Sequence, residues 1–536
     1  MSSTRSPASS STSSAPSTSF AYNLPPEITL MVAKHFSRST LQVAVRVCKD
    51  WNRILSNLIW YEVLEMDWHH PSFPTRVPPY AQFQDLAVHF VHTRVFSWHS
   101  NKAISQRRIT TKDFALSTQL PPAAVSRVLS LMSNLTSVEL HLDSYPALSD
   151  FDDLKKLEKL ELNMLNCSTP GFSVTLFADL FSRINCLKLV MPPETVEVSM
   201  SGLPETDPWV MTVLEIEPEA IPLASHCKKL KELAVGCDRD FEQVSMRPVM
   251  ECQDLEILRI NVDLMFFSGV AEVLPSLTNL KHLEIIVNSS AEIEFFNAPD
   301  TPMPLLEILE IKHMSHQDPG NISSFSRTYG TILRSHSNLR TFHVEGAAIN
   351  PSLVFPVPGQ ERVASEWVCD QLEHLALILS WPGWSITSKD EKCQCWDEVF
   401  VQIGKLSHLK TVSIESEDLE VHPGRGFLEK CAPLYDLKSL VLSAPDTERA
   451  WRVDQIQSLL EKYPALRSID LGGLVRGSGS TIQAWLDNEC NREIDLVSFY
   501  NESDDEEYQE SDCDEYEDDG YRDDGYRDDG YRDDDS

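Results

Sequence analysis

Residues 279–285 read Asn-Leu-Lys-His-Leu-Glu-Ile (NLKHLEI), with apolar side chains at Leu280, Leu283 and Ile285. The end of this stretch alternates apolar and polar residues, which is the period of a strand with one buried face. The same pattern, L-x-x-L-x-L behind one leading residue, recurs on both sides. Upstream it appears as NLTSVEL from 134, KLEKLEL from 156, RINCLKL from 183, VMTVLEI from 210, KLKELAV from 229 and DLEILRI from 254. Downstream it appears as LLEILEI from 305, NLRTFHV from 338, QLEHLAL from 371, HLKTVSI from 408, DLKSLVL from 436 and ALRSIDL from 465. One such unit would carry no weight. Thirteen in series, with first apolar positions 19 to 37 residues apart, predict an array in which each unit buries its apolar face against its neighbours.

The stretches between units carry helical spacing, as at 324–335, 396–405 and 452–462. A strand followed by a helix, repeated at this period, resembles the leucine-rich repeat. The resemblance implies an α/β solenoid with parallel strands on its concave side and helices on its convex side. The Asn or Cys that the family places three residues past the third apolar position is mostly missing, and Asn288 is the one clear Asn. The turns after the strands are therefore expected to be irregular. Gly472, Gly473, Gly477 and Gly479 follow the last unit, and 481–491 then reads as a capping helix. The solenoid and its cap are expected over residues 131–495. Residues 66–130 read as a linker and irregular first repeat, broken by Pro71, Pro74, Pro78 and Pro79, with a short strand at 94–98.

Ahead of this array, residues 24–60 read LPPEITLMVAKHFSRSTLQVAVRVCKDWNRILSNLIW. Ile28, Met31, Val32, His35 and Phe36 share one helical face, and Pro25 and Pro26 open that helix. Ser39, with Gln42 three residues on, marks a second helix whose stripe is Leu41, Ala44, Val45 and Cys48. Trp51, Ile54, Leu55 and Leu58 mark a third. A unit of this size rarely buries enough apolar surface to stand alone, so a partner or the following domain must cover part of it. The order Leu24-Pro25, Glu27-Ile28, Val32, Phe36, Leu41, Val47-Cys48, Trp51, Leu55, Trp60 is similar to the F-box motif, and residues 21–65 are assigned to it. The resemblance implies docking to the Skp adaptor of Skp–cullin–F-box ubiquitin ligases, and through it to a cullin. Leu24, Pro25, Ile28, Val32, Phe36, Leu41, Val47 and Trp51 are the adaptor-binding candidates it implies. Some of these must instead form the motif's own small core.

Residues 1–20 are nearly all Ser, Thr, Ala and Pro, and are expected to be disordered. Residues 496–536 are expected to form a second disordered tail. From 501 onward it carries 19 acidic residues against 3 Arg, a net of −16 out of −35 for the chain. The acidic balance argues against nucleic acid or an anionic membrane as partner. No apolar run is long enough to span a bilayer, and the N-terminus has no secretory apolar segment. The twelve cysteines are scattered without a disulfide framework, which suits cytoplasm or nucleus. Cys393 and Cys395 form a lone C-x-C pair, too little for a zinc site, so no metal or cofactor is expected.

No phosphate-binding loop, H-E-x-x-H or G-x-S-x-G motif is present, and no catalytic residue is expected. A ligase receptor needs none. On each strand, the residue between the last two apolar positions points to the concave face, and Glu139, Glu161, Glu215, Glu284 and Glu310 fall there. This column is either a face for a basic protein target or the ordinary solvated surface of an acidic protein. Trp367, Trp381, Trp384 and Trp396 fall in the longest units; they either fill the core or, most of all at Trp381 and Trp384, reach the target. Two functions are expected from the two resemblances together. The first is the substrate-recognition subunit of a Skp–cullin–F-box ubiquitin ligase. The alternative is a repeat scaffold that binds the adaptor without directing ubiquitination.

Overall fold

The computed structural model describes residues 32–33, 35–36, 38–47, 51, 54–55, 62–63, 95–99, 129, 132–141, 154–164, 177–191, 209–236, 243–297, 303–313, 319–355, 367–380, 389–416, 423–443, 452–470, 479–488, 490 and 494–497. The two expected tails lie outside these residues, apart from 496 and 497.

The alternating ends of the repeats become strands of one parallel sheet, sixteen strands wide. They begin with β1 (Glu62–Val63), β2 (Val95–His99), β3 (Ser137–His141), β4 (Lys159–Asn163), β5 (Cys186–Val190), β6 (Val213–Ile216) and β7 (Glu232–Gly236). After β8 (Val244–Ser245) come β9 (Ile257–Asp263), β10 (Phe267–Ser268), β11 (His282–Val287), β12 (Ile308–His313) and β13 (Thr341–Ile349). The series ends with β14 (His374–Leu379), β15 (Thr411–Ser416), β16 (Ser439–Ser443), β17 (Ser468–Asp470) and β18 (Asp495–Val497). Strands β8 and β10 pair with each other, apart from the large sheet. The other sixteen follow one another in chain order, all paired in parallel, so no strand of the sheet is skipped.

Register follows the sequence repeat. Leu283 stands beside Leu258 and Leu309, Glu284 beside Arg259 and Glu310, and Ile285 beside Ile260 and Ile311. The apolar positions point inward and are fully buried; Leu280, Leu283, Ile285 and Val287 of one unit are each at 0 % exposure. Stacked unit on unit, they make a single core that runs from Leu129 to Leu486. Each fully buried Leu or Ile contributes about 1.5–3 kcal/mol. Because the core has one unit's width, each unit depends on its two neighbours for that burial.

Unit length decides what fills the other layer. Before the sheet's repeats stands α1 (Arg38–Ala44), in the N-terminal segment. The shorter units carry α2 (Ala178–Phe181), α3 (Val270–Ser276) and the 3₁₀ turns Pro218–His226, Arg247–Glu251 and Ser290–Asn297. Pro222 and Pro275 sit inside two of these and forbid a longer regular helix. The longer units carry α4 (Pro319–Ser335), then α5 (Pro351–Val354), α6 (Lys389–Gly404), α7 (Pro423–Lys430), α8 (Val453–Lys462) and α9 (Gly479–Asn488). An aromatic chain ties this end together. Trp396 stacks on Phe400 at 5.4 Å, Phe400 meets Phe427 edge-on at 5.4 Å, and Phe427 meets Tyr463 at 5.2 Å. The helix expected as a terminal cap is α9, but it is followed by β18, which pairs with β17. The sheet thus runs two residues past the expected boundary at 495. No helix among the described residues is long and apolar enough to cross a membrane.

A second column runs along the start of the strands, one residue before each strand's first. From β7 onward it alternates in charge: Lys231, Glu256, Lys281, Glu307, Arg340, Glu373, Lys410. Glu256 is shared by Lys231 at 3.3 Å and Lys281 at 2.7 Å. Arg340 bridges Glu307 at 3.7 Å and Glu373 at 3.4 Å, and Glu373 also holds Lys410. Backbone bonds keep these residues adjacent; the Lys281 N–H donates to the Glu256 carbonyl at 2.8 Å, and the Glu307 N–H to that of Lys281 at 2.8 Å. The alternation therefore turns a row of like charges into a ladder of pairs, each exposed pair contributing about 0–1 kcal/mol.

Candidate protein-binding surfaces

The N-terminal segment has its own small core of Ala33, Leu41, Ala44 and Leu55, with Phe36, Val45, Trp51 and Ile54 packed against it. It is separate from the core of the sheet. The eight adaptor-binding candidates divide accordingly. Leu41 is buried, and Phe36 and Trp51 lean on it, so these three hold the segment together. Val32 and Val47 face outward, at 46 % and 54 % exposure. Leu24, Pro25 and Ile28 lie outside the described residues. The structure adds Val43, the most exposed of the group at 64 %. It sits in α1, which ends at Ala44, and Val47 follows in the turn just beyond. The stripe expected from the sequence is Leu41, Ala44, Val45 and Cys48; the first three are on the core side, and Val43 is the outward residue that neither the stripe nor the motif marks.

The face of the sheet away from the helices carries the residues between the last two apolar positions. Glu139, Glu161, Lys188, Glu215, Ala234, Arg259, Glu284, Glu310, His343, Ala376, Ser413, Val441 and Asp470 stand side by side in one continuous column. Its acidic members are not a free row of negative charge. Lys188 lies between Glu161 at 3.1 Å and Glu215 at 3.5 Å. Glu284, with its side chain only 13 % exposed, faces Arg259 at 3.8 Å and accepts from Lys312 at 2.6 Å, while Arg259 also holds Glu232. Glu310 is 4.0 Å from His282. Burial, then the nearby Arg259, holds the His282 imidazole below its usual value, so it is neutral at pH 7. Glu139 is half-buried next to Glu161 in register. From Glu161 to Glu284 this face is a lattice of compensated charge. From β14 to β16 the column turns to small or uncharged residues at Ala376, Ser413 and Val441, before Asp470 on β17.

His282, Glu284 and Glu310 bring one ligand atom each within 4.8 Å of one another. Glu284 is already engaged by two cations, which makes this trio a knot of ion pairs. Cys227 and Cys252 are buried and free, and burial raises both thiols, Cys252 to about 12. They are therefore held as thiols, unsuited to bind metal or attack a substrate. Cys393 and Cys395 fall in α6. Of the four tryptophans, Trp367 and Trp396 belong to the core. Trp367 packs on Phe355 at 4.9 Å and donates to the Val354 carbonyl at 3.3 Å. Trp381 and Trp384 lie outside the described residues.

Residues 21–65 match the F-box-like family model. The F-box-like segment is thus the part of the chain that holds the exposed Val32, Val43 and Val47. No curated protein sequence matches the chain. Among solved structures it is similar to leucine-rich-repeat proteins. A TLR13–ssRNA13 complex shares 14 % identity at TM-score 0.31, over 66 % of this chain and 54 % of that one. The mouse RP105/MD-1 complex shares 16 % at TM-score 0.40, over 70 % and 61 %. The Toll–Spatzle complex of Drosophila shares 11 % at TM-score 0.38, over 74 % and 53 %. The chain spans between about half and three fifths of the length of these structures. The assignment of the repeat fold rests on this chain's own strand order and register.

Proposed function

We propose that this chain is the substrate-recognition subunit of a Skp–cullin–F-box ubiquitin ligase, a non-catalytic receptor working in cytoplasm or nucleus. One observation carries the reading. An F-box-like segment that keeps an apolar strip outside its own core shares a chain with a sixteen-stranded repeat sheet. Val32, Val43 and Val47 supply apolar surface for the Skp adaptor, and the motif adds Leu24, Pro25 and Ile28 as candidates. The open face of the sheet supplies surface for a protein target. Cullin and ubiquitin transfer follow from the adaptor.

Affinity mass spectrometry tests this on the full chain. Val43→Lys with Val47→Lys replaces surface, not core, so the protein should fold as before. Burying each valine in an interface is worth about 1.5–3 kcal/mol, so adaptor recovery should fall by about tenfold or more. Leu24→Ala with Pro25→Ala should do the same. Undiminished adaptor recovery in both double variants would reject the docking surface. Adaptor recovered from wild type without any cullin would favour the scaffold reading instead.

A further inference from the structure

The alternating ladder at the strand starts breaks at its C-terminal end. After Glu373 and Lys410 the next two positions are Lys438 and Arg467, so three cations stand in succession. Backbone bonds fix their adjacency. The Lys438 N–H donates to the Lys410 carbonyl at 2.8 Å, and the Arg467 N–H donates to the Lys438 carbonyl at 2.8 Å. Neighbouring strands lie about 4.8 Å apart, so these charges repel one another. Lys410 has Glu373 as partner, but Lys438 and Arg467 are exposed and form no ion pair among the described residues. The pattern that compensates every earlier charge leaves this end positive, on a body that carries −19 before residue 501.

The chain itself supplies the missing anion. The Asp495 N–H donates to the Arg467 carbonyl at 2.8 Å, and the strand that Asp495 opens ends at Val497. The net charge of −16 begins four residues later, at 501. The acidic stretch of 36 residues is thus tethered beside the strip, at an effective concentration on the order of millimolar. The rest of the body, being negative, repels it. We propose that the acidic C-terminal segment, 501–536, seats on the Lys410–Lys438–Arg467 strip of its own chain.

Zero-length carbodiimide cross-linking of the full chain, followed by peptide mapping, tests the seat, because it joins a lysine amine only to a carboxylate in direct contact. Fully extended, the segment reaches about 120–130 Å, enough to touch exposed lysines far along the sheet. Lys228 and Lys229 are therefore fair references; both are exposed and distant from the strip. At about 0.01 M ionic strength, where charges act over about 30 Å, cross-links from 501–536 to Lys438 and Lys410 should exceed those to the references about tenfold. At about 1 M, where the reach is about 3 Å, the excess should vanish. Arg467→Glu removes no amine, yet should cut the Lys438 yield several-fold; Arg467→Gln should cut it less. Unfolding temperature monitors the fold of both variants. Yields that simply follow lysine exposure, or that ignore both substitutions in folded protein, would overturn the proposal. So would links that prove intermolecular in a mixture of light and heavy isotope-labelled chains, which would mean the seat belongs to a second copy.

Discussion

His313 ends β12 and meets Tyr329, wholly buried in the middle of α4, with 2.6 Å between Nε2 and the hydroxyl oxygen. Burial lowers the imidazole to about 4, so the ring is neutral at pH 7 and shares one hydrogen bond with the hydroxyl. Tyr329→Phe should remove that buried hydrogen bond and cost about 1–3 kcal/mol in denaturant unfolding. Glu292 is the opposite case. Burial, with the Asp263 carboxylate facing it, pushes its carboxyl from 4.5 up to about 7, while the Asn288 N–H donates to it at 3.1 Å. The folded chain keeps a proton that the unfolded chain releases between about 4.5 and 7, so this residue's contribution falls as pH rises through that window. Glu292→Gln keeps an acceptor for Asn288 and has nothing to titrate. The variant should match or exceed wild-type stability above pH 7, and its melting temperature should depend less on pH between about 4.5 and 7. A wild-type-like slope in the variant would assign the titration elsewhere. Pairings of this kind were not legible in the sequence. The acidic column at Glu161, Glu215 and Glu284 was, because strand period fixes which residues share a face. That Lys188, Arg259 and Lys312 would neutralise it depends on side chains reaching across strands that are some 25 residues apart in the chain.

Elements were more legible than pairings, and the exceptions have physical causes. The strands came through because a six-residue pattern repeated in series leaves one register that buries every Leu. The helices at α4, α6 and α8 came through because their units are long. The 3₁₀ turns of the shorter units did not, since they have too few residues for the helical period to show. The extra strand β18 was hidden because Asp495–Val497 is only three residues long and has no leucine unit ahead of it. In β13 the register with β14 jumps between His343 and Ala348, and Gly346 in that bulge has φ +75°. A Cβ there would sit 2.6 Å from the His313 carbonyl oxygen of the neighbouring strand. Gly346→Ala should therefore cost about 1–3 kcal/mol, more than the same change at Gly236, whose Cβ would meet only Asn261 Cβ at 3.6 Å. Equal costs at the two sites, measured by thermal unfolding, would mean that the bulge relaxes freely.

At the scale of the molecule, stability should behave as a line of neighbours. The core is continuous from Leu129 to Leu486, yet each strand is bonded only to the strands on either side. Leu283 and Ile469 are both fully buried at equivalent positions in the column, one in the middle and one near the end. An aspartate at either site buries an unpaired carboxylate and costs several kcal/mol or is relieved by local opening. Their consequences should differ in extent. Around Leu283→Asp an opening must break contacts on both flanks, so amide exchange should quicken through β9, β11, β12 and β13. Around Ile469→Asp the open end can fray, and faster exchange should stop within β16–β18, leaving β3–β12 protected as in wild type. The F-box-like segment, with its separate core, should keep its protection in both variants. If Ile469→Asp instead loosens the whole sheet, the array folds as one cooperative block. Stability measured at any one repeat would then report on all of them.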